Sequence, residues 1–368
     1  MKPQVVIADD LTGACDSGAA FAASGACVHV FGEYDDREIG TTGADIVVVD
    51  CDTRHRSDAD AYARVFDLIT RIRPNRPHEL FIKIDSTLRG PIASVVRAAL
   101  DALPDARAIA APAFPQQRRV TRAGIQLIDD IPVHAGAAGT DPRAPIRTSN
   151  VIAALGSAER VRVYDAATEA DLDTIAAQTG AIWIGSAGLA AALARKSSTR
   201  PQAILPPGSC VIVVAGTANA VTHAQLAALE ASGTVVVRIE PGDLLIENER
   251  IRAARWRAAH LASSNVSFAI ALDSGGRVVE HALVLAALGG FITSLPYDPR
   301  CTMLVTGGET ARALCRALGV HVLVPIGEVA PGIPLSNALG RDVRMITKAG
   351  GFGEPDALAR IAAAVERT

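Results

Sequence analysis

The chain has 368 residues, 49% of them hydrophobic, and 36 Lys+Arg against 39 Asp+Glu leave a formal net charge of −3. At about 100–200 residues per domain, this length predicts two globular domains, each able to bury a core. The near-neutral balance and an aromatic content of only 4% argue against nucleic acid as a partner, which would call for a basic surface and stacking platforms.

The chain begins Met-Lys-Pro-Gln and runs straight into a strand pattern, without the longer apolar stretch of a signal peptide. Its longest apolar run, residues 282–292, is well short of the roughly 20 needed to span a bilayer, so no membrane partner and a cytoplasmic setting are expected. The six cysteines, Cys15, Cys27, Cys51, Cys210, Cys301 and Cys315, show no Cys-x-x-Cys pair and no metal-ligand spacing. They read as small buried hydrophobes in a reducing compartment, and no metal held by protein ligands is expected.

Short β-branched runs alternate with Ala/Leu-rich stretches along the whole chain, the pattern of parallel sheets with crossover helices. Strands are predicted at 4–8, 27–31, 46–50, 79–84, 107–111 and 181–184. Residues 197–209, rich in proline and without periodicity, read as a linker. Beyond it the pattern restarts, with strands near 210–215, 234–239, 266–272, 301–305, 321–324 and 343–347. The fold class is therefore α/β: two domains, 1–200 and 209–368, with mainly parallel sheets and flanking helices.

The strand ends of the first half carry side-chain chemistry. The first strand stops at Asp9 and Asp10, two acids where an apolar strand ends; Asp10 could cap the following helix, but capping explains only one of them. Next, Asp50-Cys51-Asp52-Thr53-Arg54-His55-Arg56 offers cations for an anion, or simply a solvated charge cluster. If the fourth strand continues to Asp85, Lys83 and Asp85 lie two residues apart and share a face, and Ser86, Thr87 and Arg89 follow, with Pro91 opening a helix. This density of donors and acceptors favours a polyhydroxy or anionic ligand over a surface ion pair. A proline turn at Pro112–Pro115 followed by Arg118-Arg119 could wall the same pocket.

The strand ends of the second half carry glycine instead: Gly216-Thr217, Gly307-Gly308-Glu309-Thr310 and Gly350-Gly351-Phe352-Gly353. Glycine lets a backbone approach a ligand closely, and free N–H groups at a helix start attract phosphate. Three such turns suggest a nucleotide. Neither a P-loop nor a dinucleotide fingerprint is present.

Together these motifs resemble the four-carbon acid sugar kinase family, which includes threonate, erythronate and 3-oxo-tetronate kinases. The resemblance rests on Ala8-Asp9-Asp10-Leu11-Thr12-Gly13-Ala14, Lys83-Ile84-Asp85-Ser86-Thr87-Leu88-Arg89-Gly90, Gly185-Ser186-Ala187-Gly188-Leu189, Gly307-Gly308-Glu309-Thr310 and Lys348-Ala349-Gly350-Gly351-Phe352-Gly353. It implies a sugar-acid-binding domain followed by a nucleotide-binding domain, ATP and Mg²⁺ as cofactors, and an active site in an interdomain cleft. Two departures stand out: Gly216-Thr217 where the family usually has Gly-Ser, and Gln117-Arg118 where a Gly-Arg step is common. The chain is also somewhat short for the family across residues 128–150 and 240–265.

On this reading Asp10 is the catalytic acid or base, with Asp85 close behind. Asp9, Lys83, Ser86, Thr87, Arg89 and Arg54 bind the substrate, Lys83 and Arg89 holding its carboxylate. Thr217, Gly307, Gly308, Glu309, Thr310, Gly350 and Gly351 surround the nucleotide. The expected partners are a small sugar acid and ATP, and a homodimer is the assembly considered. Two rivals remain at this stage, a nicotinamide-dependent dehydrogenase of a small hydroxy acid and a non-catalytic sugar-acid binding protein.

Overall fold

The computed structural model describes residues 5–33, 39, 42–72, 80–140, 144–156, 159–179, 182–196, 210–217, 219–273 and 280–366. The predicted linker at 197–209 lies outside the described residues. The chain divides into two compact units, Met1–Gln202 and Ala203–Thr368.

In the N-terminal unit the described elements are β1 (Val5–Ala8), α1 (Leu11–Ala23), β2 (Val28–Phe31), β3 (Ile46–Asp50), α2 (Asp58–Ile72), β4 (Leu80–Lys83), α3 (Ile92–Ala102) and β5 (Ala108–Ala111). They continue with β6 (Arg119–Arg122), β7 (Ile125–Ile128), β8 (Ile131–Pro132), α4 (Val151–Leu155), β9 (Val161–Val163), α5 (Glu169–Ala176), β10 (Ile182–Gly185) and α6 (Ala187–Arg195). The main sheet runs β2-β3-β1-β4-β10-β5-β9, parallel throughout, and β6-β7-β8 form a small antiparallel sheet. All four residues of β1 and all five of β3 are buried, as a strand covered by helices on both faces requires. Register aligns their ends: Ala8 lies opposite Asp50 and Lys83, and Gly185 opposite Lys83 and Ala111. Every segment that leaves these strands therefore starts at one edge of the sheet.

The C-terminal unit comprises β11 (Val211–Ala215), α7 (Ala220–Ala231), β12 (Val235–Ile239), α8 (Glu249–Ser263), β13 (Phe268–Leu272), α9 (His281–Thr293) and β14 (Thr302–Thr306). It ends with α10 (Gly308–Leu318), β15 (Val322–Ala330), β16 (Ile333–Ala338), β17 (Arg344–Lys348) and α11 (Ala357–Glu366). Its sheet order is β12-β13-β11-β14-β17-β16-β15, with the last three strands antiparallel. Here register aligns Ala215 with Thr306 and Thr306 with Lys348, again setting the strand ends level. A core of Val213, Leu226, Leu229, Leu304, Ile346, Leu358 and Val365 packs α7 and α11 on this sheet. Each such side chain contributes about 1.5–3 kcal/mol when fully buried.

The structure corrects the reading of the cysteines. Cys210 and Cys301 form a disulfide with a Cα–Cα separation of 4.8 Å. They are 91 residues apart in sequence, but β11 and β14 are parallel neighbours that pair Val211 with Thr302, so the residues just before both strands meet. Cys27 is exposed, while Cys15, Cys51 and Cys315 are buried thiols. A smaller correction concerns Pro91, which precedes α3 as its N-cap residue rather than opening the helix. β4 stops at Lys83, so Asp85 belongs to the following loop and strand alternation does not relate the two.

Candidate active site

The first acid pair meets a cation supplied from 44–45 residues away. Arg54 donates from Nε to Asp9 Oδ2 at 2.7 Å, from Nη1 to Asp10 Oδ2 at 2.7 Å and from Nη2 to Asp10 Oδ1 at 2.8 Å. The main chain fixes this placement, because Thr53 and Arg54 donate their N–H groups to the Asp9 carbonyl at 3.0 and 3.2 Å. All three residues are more than 90% buried. Asp10 does cap α1, accepting from Gly13 N at 2.9 Å, and it also accepts from Thr12 Oγ1 at 2.7 Å. Capping and ion pairing thus share one carboxylate, and both of its oxygens are engaged.

Asp85 is likewise enclosed. Arg89 donates from Nε to Oδ2 at 2.8 Å and from Nη2 to Oδ1 at 3.0 Å, Thr87 Oγ1 donates to Oδ2, and Arg54 Nη2 lies 3.8 Å from Oδ1. The loop that holds these groups needs two left-handed residues, Leu88 at φ 66° and Gly90 at φ 89°. A Cβ on Gly90 would stand 3.2 Å from the backbone of Arg54, so only glycine lets the two loops close on each other.

The electrostatics separate the three acids. Burial raises the Asp9 carboxyl above its usual range, and the nearby Arg54 does not fully offset that. Burial works the same way on Asp10, yet Arg54, Lys83 and the hydrogen bonds from Thr12 and Gly13 outweigh it and hold the group low. Against the same penalty, the Arg89 and Arg54 guanidiniums hold Asp85 well below the carboxylate range. Asp9 also keeps an unused acceptor, since its Oδ1 has no hydrogen-bond partner among the described residues.

Lys83 is the complementary donor. It is 4% exposed, and a Cβ built on Gly13 would lie 2.6 Å from its Nζ, which places the ammonium over the first turn of α1 beside Asp10. No hydrogen bond or ion pair of this ammonium occurs among the described residues. Ser86 is held by Arg119, whose Nη1 donates to Ser86 Oγ at 2.6 Å, and by Gln126, whose Nε2 donates to the Ser86 carbonyl at 2.7 Å. Thr121 Oγ1 in turn donates to Gln126 Oε1 at 2.6 Å. Sequence reading placed Arg119 beside the pocket only as half of a basic pair. The structure buries it, with burial pulling its guanidinium down to about 10, while Arg118 points outward to Asp129. Gln126 was missed because its hairpin carries no chemical signature in the sequence. His55 and Arg56 are exposed, and Arg56 pairs with Asp52 and Asp60.

In the C-terminal unit the glycine turns of β11, β14 and β17 converge. A Cβ on Gly216 would meet Thr310 Oγ1 at 2.6 Å; one on Gly307, at φ 96°, would lie 3.4 Å from Thr217 Cβ. One on Gly350 would lie 3.2 Å from Asn219 Cβ and 3.4 Å from Thr217 Oγ1. Gly307 caps α10, so the helix starts at Gly308 with Glu309 in its first turn, where Glu309 Oε2 stands 3.4 Å from His281 Nε2. Asn219, absent from the sequence-predicted set, caps α7 by accepting from Val221 N at 3.0 Å. Gly351 follows Gly350 in the same loop. Main-chain groups, hydroxyls and two helix starts thus face one place with few charged side chains, the makings of a phosphate cradle.

One unit presents a cage of paired charges with one spare ammonium and one spare carboxylate oxygen; the other presents glycine turns at aligned parallel strand ends. That combination defines a protein handling a polar acid and a phosphorylated cofactor. Residues 4–159 match a sugar-binding N-terminal domain, and residues 212–358 a nucleotide-binding C-terminal domain. A D-threonate kinase of Bordetella bronchiseptica is 31% identical, over 98% of this chain and 96% of its own. A D-erythronate kinase of Heliobacterium modesticaldum is 28% identical, over 97% and 95% respectively. A crystal structure from Salmonella typhimurium LT2 shares the fold, with a TM-score of 0.77 at 19% identity over 99% of this chain and 98% of that one. The chain belongs to the four-carbon acid sugar kinase family, a group of phosphotransferases with an alcohol acceptor.

Proposed function

We propose that this protein transfers a phosphoryl group from ATP to a terminal hydroxyl of a four-carbon sugar acid of the threonate, erythronate or 3-oxo-tetronate type. The observation that carries the reading is the alignment of Gly216, Gly307 and Gly350 at the ends of three neighbouring strands, where a side chain on any of them would fill the space the backbone leaves. Such a cradle fits the phosphates of ATP, which would be held by Thr217, Gly307, Gly308, Thr310, Gly350 and Gly351. Among the described residues no group of three or more His, Cys, Asp or Glu is gathered to hold a metal. Mg²⁺ arriving on those phosphates would need only one or two carboxylates from the protein, and Glu309 stands in the first turn of α10, which starts at the cradle. ATP supplies the phosphoryl group when bound.

The N-terminal unit supplies the acceptor side. Lys83 holds the substrate carboxylate, because its ammonium makes no hydrogen bond or ion pair among the described residues, whereas the Arg89 fork is closed on Asp85. Ser86 and Thr87 contact hydroxyls. Asp9 orients and deprotonates the attacking hydroxyl: its buried Oδ1 has no hydrogen-bond partner among the described residues, and burial raises its basicity. Asp10 and Asp85, first expected in that role, keep Arg54 and Arg89 in place. An ATP-consuming reaction also belongs with the cytoplasmic nucleotide pool.

The test is ADP release, measured with ATP-Mg²⁺ and each of D-threonate, D-erythronate and 3-oxo-tetronates. Acid-dependent ADP release is expected with at least one of them. Reduction of NAD by the same acids, or tight acid binding with no turnover, would replace the kinase with a dehydrogenase or a binding protein.

A further inference from the structure

Lys348 ends β17 with no exposed surface, and no carboxylate accompanies it among the described residues. A buried ammonium without a counter-charge is costly, and methionine would fill similar space without that cost. What the ammonium provides is three donors with three acceptors: Nζ donates to the carbonyls of Ala349 at 3.0 Å, Gly350 at 3.2 Å and Phe352 at 3.1 Å. Two side chains of α7 extend the pattern. Gln225 Nε2 contacts the carbonyls of Phe352, Gly353 and Glu354 at 2.9–3.1 Å, and Thr222 Oγ1 donates to Gly350 O at 2.9 Å. The carbonyls of the glycine loop are thus drawn to one side. Gly350 and Gly353 keep N–H groups with no acceptor among the described residues, and the Cα of Gly350 faces Thr217 and Asn219.

We propose that Lys348 is the positioning residue of the nucleotide site: its protonated side chain gathers the loop carbonyls beneath the loop, leaves the opposite N–H groups to the phosphates, and sets a positive charge under them. The proposal rests on reading this unit as the ATP site. A neutral amine has only two N–H donors and turns a lone pair toward the third carbonyl, so the arrangement depends on the ammonium. Burial alone pulls Lys348 down to about 7, with no charged side chain contributing, and the groups facing its Nζ are carbonyls of its own loop. A bound phosphate would favour the charged form and take up a proton near neutral pH.

Calorimetry with ADP, and separately with D-threonate, on the full chain and on Lys348→Met at pH 6.5 and 8.5 tests this. Wild type should bind ADP several-fold more weakly at pH 8.5 than at pH 6.5. Lys348→Met should bind at least about tenfold more weakly at pH 6.5, the loss of a charge-assisted contact, with little pH dependence and unchanged D-threonate affinity. Unchanged ADP affinity in the folded variant overturns the proposal. If the variant does not fold, the wild-type ratio of ADP to adenosine affinity decides, and a ratio flat between pH 6.5 and 8.5 overturns it. Absence of ADP binding by wild type at either pH would instead remove the nucleotide reading itself.

Discussion

The two strand-end clusters are built from opposite materials. In the N-terminal unit, specificity is written in side chains: three carboxylates, Arg54, Arg89 and Lys83, nearly all paired and nearly all buried. In the C-terminal unit the groups at the candidate site are largely main chain and hydroxyl, and the Lys348 ammonium is bonded to the carbonyls of the loop. A small acid with several hydroxyls needs directional partners held rigidly, whereas phosphate is well served by N–H groups and dipoles.

The largest expected effect sharpens that distinction among the acids. Asp9→Asn should lower kcat by roughly 10²–10⁴-fold in a steady-state ADP assay, with its melting temperature preserved. Near-normal kcat would return the role to Asp10 or Asp85. Across the contrast between the units, Gly350→Val should lower nucleotide affinity about a hundredfold or more while leaving D-threonate binding intact, because its side chain would enter the space beside Thr217 and Asn219. Equal losses for both ligands would show that the change damages the fold. Lys83→Met should raise KM for the acid by about 10–100-fold with KM for ATP unchanged, as expected for one charge-assisted contact. A selective loss of ATP affinity would place Lys83 on the other side of the reaction.

The remaining effect falls on stability rather than on turnover or binding. Asp85 is held well below the usual carboxylate range, so its pairing stabilises the fold above that range and the contribution is lost as pH falls through the folded value. Asp85→Asn should therefore be less stable than wild type at pH 7, by up to about 3–5 kcal/mol of unfolding free energy for a broken buried pair, and the difference should shrink in acid below pH ~4. Asp9 has the opposite sign: raised on folding, it costs stability at neutral pH and the cost fades as pH falls. Thermal melts that fail to separate Asp85→Asn from Asp9→Asn at pH 7 would contradict this ranking.

Much of this protein was readable from local pattern. Apolar β-branched runs located β1–β5, β10–β15 and β17 to within a residue or two at most ends, since a strand buried on both faces leaves a continuous apolar signal; β15 runs on six residues past its predicted end. The small hairpin strands β6–β8, the short β9 and the antiparallel β16 escaped notice, because half-exposed or short strands lack such runs. The residues at the strand ends were visible as well, since chemistry placed beyond a parallel strand survives in sequence as a polar break.

Tertiary structure alone decided who pairs with whom. Arg54 reaches Asp9 and Asp10 across 44–45 residues, Arg119 reaches Ser86 across 33, and Cys210 meets Cys301 across 91. Sequence shows that Asp9, Asp10 and Asp85 are acids, but which oxygen is left without a hydrogen-bond partner among the described residues depends on where each guanidinium comes to rest. Lys348 appeared in the sequence as one letter of a glycine-loop motif, and only the folded loop turns three carbonyls onto its ammonium. The physical reason is common to all of these: strand and helix formation is governed by neighbours along the chain, while hydrogen-bond saturation and desolvation are governed by neighbours in space.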